Sequence, residues 1–101
     1  MEKGYNGWAN YPTWCVNLWL SNEEPLYREA LERVREAAEV AETHTTPKRV
    51  EAGDALREWV TLDLVPELGA SFASDLLGWA LGQVDWMEIA DGWLEQVEEV
   101  V

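Results

Sequence analysis

The sequence predicts an all-α fold, a compact orthogonal bundle of about five helices around a buried N-terminal helix. Three observations carry the prediction. Apolar residues recur at spacings of three and four along most of the 101 residues, and no segment has to be read as a strand. Helix-start residues stand where these patterns begin, at Asn10, Ser71 and Asp85. Residues 11–20 and their flanks carry only a narrow polar stripe, Asn10, Thr13, Asn17 and Ser21, spaced three and four apart. A helix with so little polar surface is expected inside the bundle, with the others wrapped around it. Sharp corners at Ser21-Asn22 and Val84-Asp85 argue against a long parallel bundle. The length suits a single helical domain over residues 1–101, with seven tryptophans to fill a small core.

Residues 1–9 read as an irregular lead-in, where Gly4 and Gly7 favour turns and Tyr5 and Trp8 fold back on the first helix. Asn10 caps that helix, and Pro12 sits in its first turn, where a missing N–H costs nothing. Ser21 or Asn22 closes it. The second helix, 23–42, opens with Glu23, Glu24 and Pro25, acids that suit a helix N-terminus. Its apolar face is Leu26, Tyr27, Ala30, Leu31, Val34, Ala37, Ala38 and Ala41, the alanines allowing close approach to the first helix. After a Thr-rich loop around His44, Thr46 and Pro47 mark a third helix, 47–60, with Val50, Gly53, Leu56, Trp59 and Val60 inward. Gly53 costs about 1 kcal/mol against Ala in a helix interior, and either a closely passing backbone or local flexibility accounts for it. Residues 62–65, ahead of Pro66, fit a helical extension or an extended connector equally. Gly69 breaks the chain, and Ser71 caps a fourth helix, 72–82, that presents Phe72, Leu76, Trp79 and Ala80 to the core. Asp85 and Glu88 have capping-box spacing, with Val84 and Ile89 as the hydrophobic staple. A fifth helix then runs to residue 98 with Ile89, Ala90, Trp93, Leu94 and Val97 inward. Trp14, Trp59, Trp79 and Trp93 are expected in the core, and Trp14 or Leu18 should be the most damaging residue to truncate.

Twenty acids against seven bases give a formal charge of −13, more than solubility requires. Clustered Lys and Arg for a phosphate backbone are missing, so direct nucleic-acid binding is disfavoured. A basic protein partner, a metal ion or a salty environment fits the charge. One Cys and one His supply neither an internal disulfide nor a zinc set. No apolar N-terminal run suggests a secretory leader and no window approaches about 18 apolar residues, so no membrane span is expected and the cytoplasm is the expected compartment. His44 stands alone in its loop. Cys15, mid-helix with no cation near it in sequence, reads as a buried structural thiol. Asp54 with Glu58, and Glu88 with Asp91 and Glu95, have helical spacing, but one face brings few oxygens to a divalent ion. No phosphate-binding loop, HExxH, CxxC or nucleophile elbow is found. No enzyme activity and no cofactor are expected.

The run Gly7-Trp8-x-Asn10-Tyr11-x-Thr13-Trp14-x-Val16-x-Leu18-Trp19-Leu20-x-Asn22 resembles the opening of a group of small acidic proteins of unknown function carried by phages and mobile elements. Val84-Asp85-Trp86-x-Glu88-Ile89-Ala90 resembles their closing segment, while residues 43–82 show no part of the pattern. The resemblance implies a mobile-element setting and no established chemistry. The expected function is a non-enzymatic acidic module, an inhibitor or mimic, that docks on a basic nucleic-acid-binding protein. Glu29, Glu32, Glu36 and Glu39 form one row on the second helix and would steer the encounter, with the acids after Asp85 as a second candidate. Trp8 and Trp86, at helix edges, would anchor it. Because −13 repels a like chain, a monomer or weak homodimer is expected. Two other readings stand beside this one. A structural domain would spread its charge evenly, and a small-ligand or metal-binding protein would line a cleft with Asn10, Thr13 and Asn17 or with convergent carboxylates.

Overall fold

Helix boundaries follow the local signals closely. The computed structural model describes residues 4–65 and 69–99. Helix α1 runs Tyr11–Asn22, capped by Asn10, whose Oδ1 accepts from the Thr13 amide at 3.0 Å. A single extended residue, Glu23, separates it from α2, Glu24–His44. That helix ends on Thr45 in the left-handed region, φ 52 and ψ 41, with the Thr46 amide returning to Ala41 O at 3.0 Å. Helix α3, Lys48–Trp59, begins behind Pro47 with no side-chain cap, so Thr46 does not act as one.

The ambiguous stretch after α3 is a widened helical continuation. Val60–Leu64 forms a π-helical turn closed by Val65 N–H to Val60 O at 3.1 Å, and Val65 is extended, as a residue ahead of proline prefers. Helix α4 is Phe72–Gly82, with Ser71 Oγ accepting from the Ser74 amide. Helix α5 is Trp86–Glu99. The staple residues Val84 and Ile89 are both buried.

The lead-in is more regular than its composition suggests. Tyr5 and Trp8 exchange both backbone hydrogen bonds across Asn6-Gly7, the two residues at φ 45 and φ 85. Paired positive φ is what a tight type I′ turn demands, and Asn-Gly is its preferred sequence. Tyr5 is thereby folded onto Tyr11 and Trp14, with ring centroids 5.1 and 4.9 Å apart.

All five helices are present, but α1 is not the buried centre. The core is made by α2, α3 and α5, with α3 packed against both of the others. Its fully buried side chains include Val34 of α2, Leu56 of α3 and Ile89 and Trp93 of α5, and α1 contributes only Leu20 and Thr13. Small residues explain why α3 takes the middle. Ala52 is fully buried, and a Cβ on Gly53 would meet the Trp86 backbone carbonyl at 3.3 Å, so α5 starts almost against the α3 backbone. Of the two readings of Gly53, close approach is the one observed.

The arrangement also corrects two lists of core residues. Trp14 is half-buried and Leu18 is 36% exposed, so neither is a central packing residue. Helix α4 buries no residue at all: Phe72 is 82%, Leu76 56% and Trp79 62% exposed. Trp59 and Trp93 are in the core as expected.

Candidate docking surface

Helix α1 sits inverted relative to its hydrophobicity, and hydrogen bonding is the reason. The start of α5 brings backbone N–H groups that need acceptors, and α1 supplies them. Thr13, fully buried, accepts from the Asp85 amide through Oγ1 at 2.9 Å and donates the same hydroxyl to Asn10 Oδ1 at 2.7 Å. Asn10 Nδ2 donates to Gln83 O at 2.7 Å, and Asn17 Oδ1 accepts from the buried Trp93 indole at 2.9 Å. The Asp85 carboxylate caps the Glu88 amide at 3.1 Å, while Glu88 Oε1 accepts from Ala9 N–H at 2.9 Å. The capping box is thus half closed in the expected way, and Thr13 takes the amide that the Glu side chain receives in a full one. The stripe Asn10-Thr13-Asn17 is a lock between α1 and α5.

Turning the polar stripe inward turns the apolar side outward. Trp19 is 60% exposed, and with Cys15, Val16, Leu26, Leu64 and Leu81 it lines an open, almost wholly apolar groove of about 340 Å³ between α1, the π-turn and α4. A smaller apolar recess of about 160 Å³ continues past Tyr11 and Pro12 to Leu77 and Ala80 of α4, sharing Cys15, Val16 and Leu81. Phe72, Leu76 and Trp79, at i, i+4 and i+7, form a separate exposed apolar face on the outside of α4, turned away from the Leu77 and Leu81 side that lines the recesses. The groove lining holds no charged residue, α1 carries none, and α4 carries only Asp75.

The residues expected to form the site are distributed differently. Glu29 binds Arg33 at 2.7 Å and Glu32 binds Arg35 at 3.1 Å, so half of the glutamate row is engaged in ordinary helix-surface pairs. Arg33 also reaches Asp63 at 3.7 Å and lies 5.4 Å from the centre of the Trp59 ring, tying α2 to the end of α3. Glu36 faces α3, where Glu51, Asp54 and Glu58 join it along an open groove of about 330 Å³. Glu39 lies at the far end of α2, beside Thr43 and exposed His44. Trp8 and Trp86 are half-buried against the edge of the core, and the exposed tryptophans are Trp19 and Trp79. Two sequence signals pointed to them: the polar stripe that had to be satisfied somewhere, and a fourth helix with one charge in eleven residues.

Among the described residues no three His, Cys, Asp or Glu side chains converge on a metal-sized point. Asn10 lines a cleft of about 500 Å³ beside Gly53 and Trp86, but Thr13 and Asn17 are outside its lining and are engaged in the α1–α5 lock. Cys15 is half-buried on the groove wall rather than fully buried, and its sulfur raises the Tyr11 phenol above the ordinary range, chiefly through electrostatic interaction and then through a hydrogen bond. No helix of the described residues is long and apolar enough to cross a membrane.

The model of a family of unknown function, DUF7249, matches residues 1–99. No curated protein and no solved structure matches the chain.

Proposed function

The chain belongs to the DUF7249 family of unknown function, matched over residues 1–99, and we propose that it is a non-enzymatic protein-binding domain that docks through the apolar face of α1, the π-turn and α4. The observation that carries this reading is α4 itself, a helix with no buried residue that displays Phe72, Leu76 and Trp79 on its outer side and reaches the groove of Trp19 through Leu81. Contiguous exposed apolar surface of more than a few hundred Å² marks an interaction site, and aromatic residues are the usual anchors. The absence of charge on α1, beside an α2 that carries six glutamates and three arginines, supports docking through an uncharged face.

A second reading rests on the groove between α2 and α3. Glu36, Glu51, Asp54 and Glu58 line it together, and a basic segment of a nucleic-acid-binding protein would complement them. The resemblance of the opening motif to phage and mobile-element proteins supports a host protein in that role.

Site-specific photo-crosslinking in the native cell extract tests both. Crosslinkers at positions 19 and 79 should give protein adducts above a control at exposed position 44, and the second reading adds adducts at position 54 that fade with salt. Positions 19 and 79 no better than the control would leave a structural domain as the reading.

A further inference from the structure

We propose that the occupant of the α4 surface is a second copy of the chain, packed across a two-fold axis close to Gly78 and Trp79. The proposal rests on the reading of this face as a docking surface and names its partner. Helix α4 carries large and small residues side by side. Phe72, Leu76 and Trp79 project along one face, and Gly78 and Gly82, one turn apart, lie next to Trp79 with nothing within 4 Å of where a Cβ would stand. A ridge adjoining a shelf on one helix is self-complementary, because a two-fold axis sets each ridge on the partner's shelf and closes the assembly at two copies. The Trp79 ring of one copy then covers the Gly78 and Gly82 backbone of the other, as small residues let helices approach closely.

Charge points the same way. A chain of −13 meets its own copy with least repulsion through the elements that carry almost none of that charge, and α4 contributes only Asp75 to the contact. A basic partner would gain nothing from so neutral a face. The area sets the strength. With their exposed fractions, Phe72, Leu76 and Trp79 leave roughly 400 Å² uncovered on α4, against about 800 Å² per partner in a stable standard-sized interface. The association is therefore weak, with a dissociation constant on the order of micromolar to hundreds of micromolar.

Sedimentation equilibrium of the purified chain, from about 5 µM to 500 µM and at about 0.05 M and 0.5 M salt, reads it directly. The average mass should climb from 11.5 kDa toward twice that value with concentration, more steeply at the higher salt, where repulsion is screened. Gly78→Gln and Trp79→Gln should each weaken the dimer at least ten-fold. Both positions are open in the single chain, so helical circular dichroism like the parent's and a melting temperature at low concentration no lower than the parent's will show that the monomer is intact. A monomer throughout, or a dimer indifferent to both substitutions, overturns the proposal. Either result leaves the docking reading standing if crosslinks at positions 19 and 79 capture a different protein, whereas docking itself fails only when those crosslinks are absent.

Discussion

Replacing Thr13 by Val tests the inverted seating of α1 with almost no change of shape. Valine keeps the volume and the branched Cβ, so no cavity forms in this fully buried position. It removes one hydroxyl that makes two hydrogen bonds, 2.9 Å from the Asp85 amide and 2.7 Å to Asn10 Oδ1. Each such bond contributes about 1 kcal/mol net, and a part-buried amide left without a partner adds about 1–3 kcal/mol. Asn10 Oδ1 keeps the Thr13 amide, which limits the loss on that side. The expected cost is about 2–4 kcal/mol, a large share of the roughly 5–15 kcal/mol that a domain has in total. Thr13→Ser, which keeps the hydroxyl and loses a methyl, should cost about 1 kcal/mol. Leu18→Ala, on the outward side, should cost less than Thr13→Val, below about 2 kcal/mol, because more than a third of Leu18 is already exposed. Urea unfolding followed by tryptophan fluorescence gives the midpoints, and an unchanged slope licenses their comparison. If Thr13→Val unfolds with the parent, or Leu18→Ala costs more than Thr13→Val, the helix is held by its apolar side and the reasoning fails.

Three further outcomes follow from the same packing. Trp93→Ala should be the most damaging single truncation, at about 3–5 kcal/mol, since it empties the centre of the core and orphans Asn17; a Trp14→Ala variant less stable than it in the same urea series would contradict this. Gly78→Ala should stabilise the monomer by about 1 kcal/mol through helix propensity, whereas Gly53→Ala should not, because its Cβ meets the Trp86 carbonyl at 3.3 Å. Equal gains in melting temperature for both would show that α5 yields easily. Thr45→Gly should raise the melting temperature, as it relieves a β-branched residue at φ 52 worth about 1–2 kcal/mol; no rise would mean the Thr45 hydroxyl bond to His44 O offsets the strain.

Local chemistry was legible in the sequence wherever neighbours along the chain decide the outcome. Asn10 and Ser71 cap their helices, Val84 and Ile89 make the staple, and Arg28 and Arg33 find glutamates four residues back, while the first corner falls at Glu23, just past the expected Ser21-Asn22. The Asn6-Gly7 turn was equally legible in principle, since its preference for positive φ is local. What the sequence could not decide was which side of α1 faces in. Counting apolar residues made that helix the most buried, and the burial rule fails here because an unsatisfied backbone amide or indole N–H costs about as much as an exposed large side chain gains. The partners that settle the matter, Asp85 and Trp93, lie 72 and 76 residues away from Thr13 and Asn17. Periodicity also describes α4 as amphipathic without saying whether a core is there to receive it. With α2, α3 and α5 closing on one another through alanines and Gly53, none was left for it. The candidate surface on Trp19, Phe72, Leu76 and Trp79 is therefore a product of tertiary structure: the same apolar residues were visible in the chain, but only the packing of the other helices put them outside.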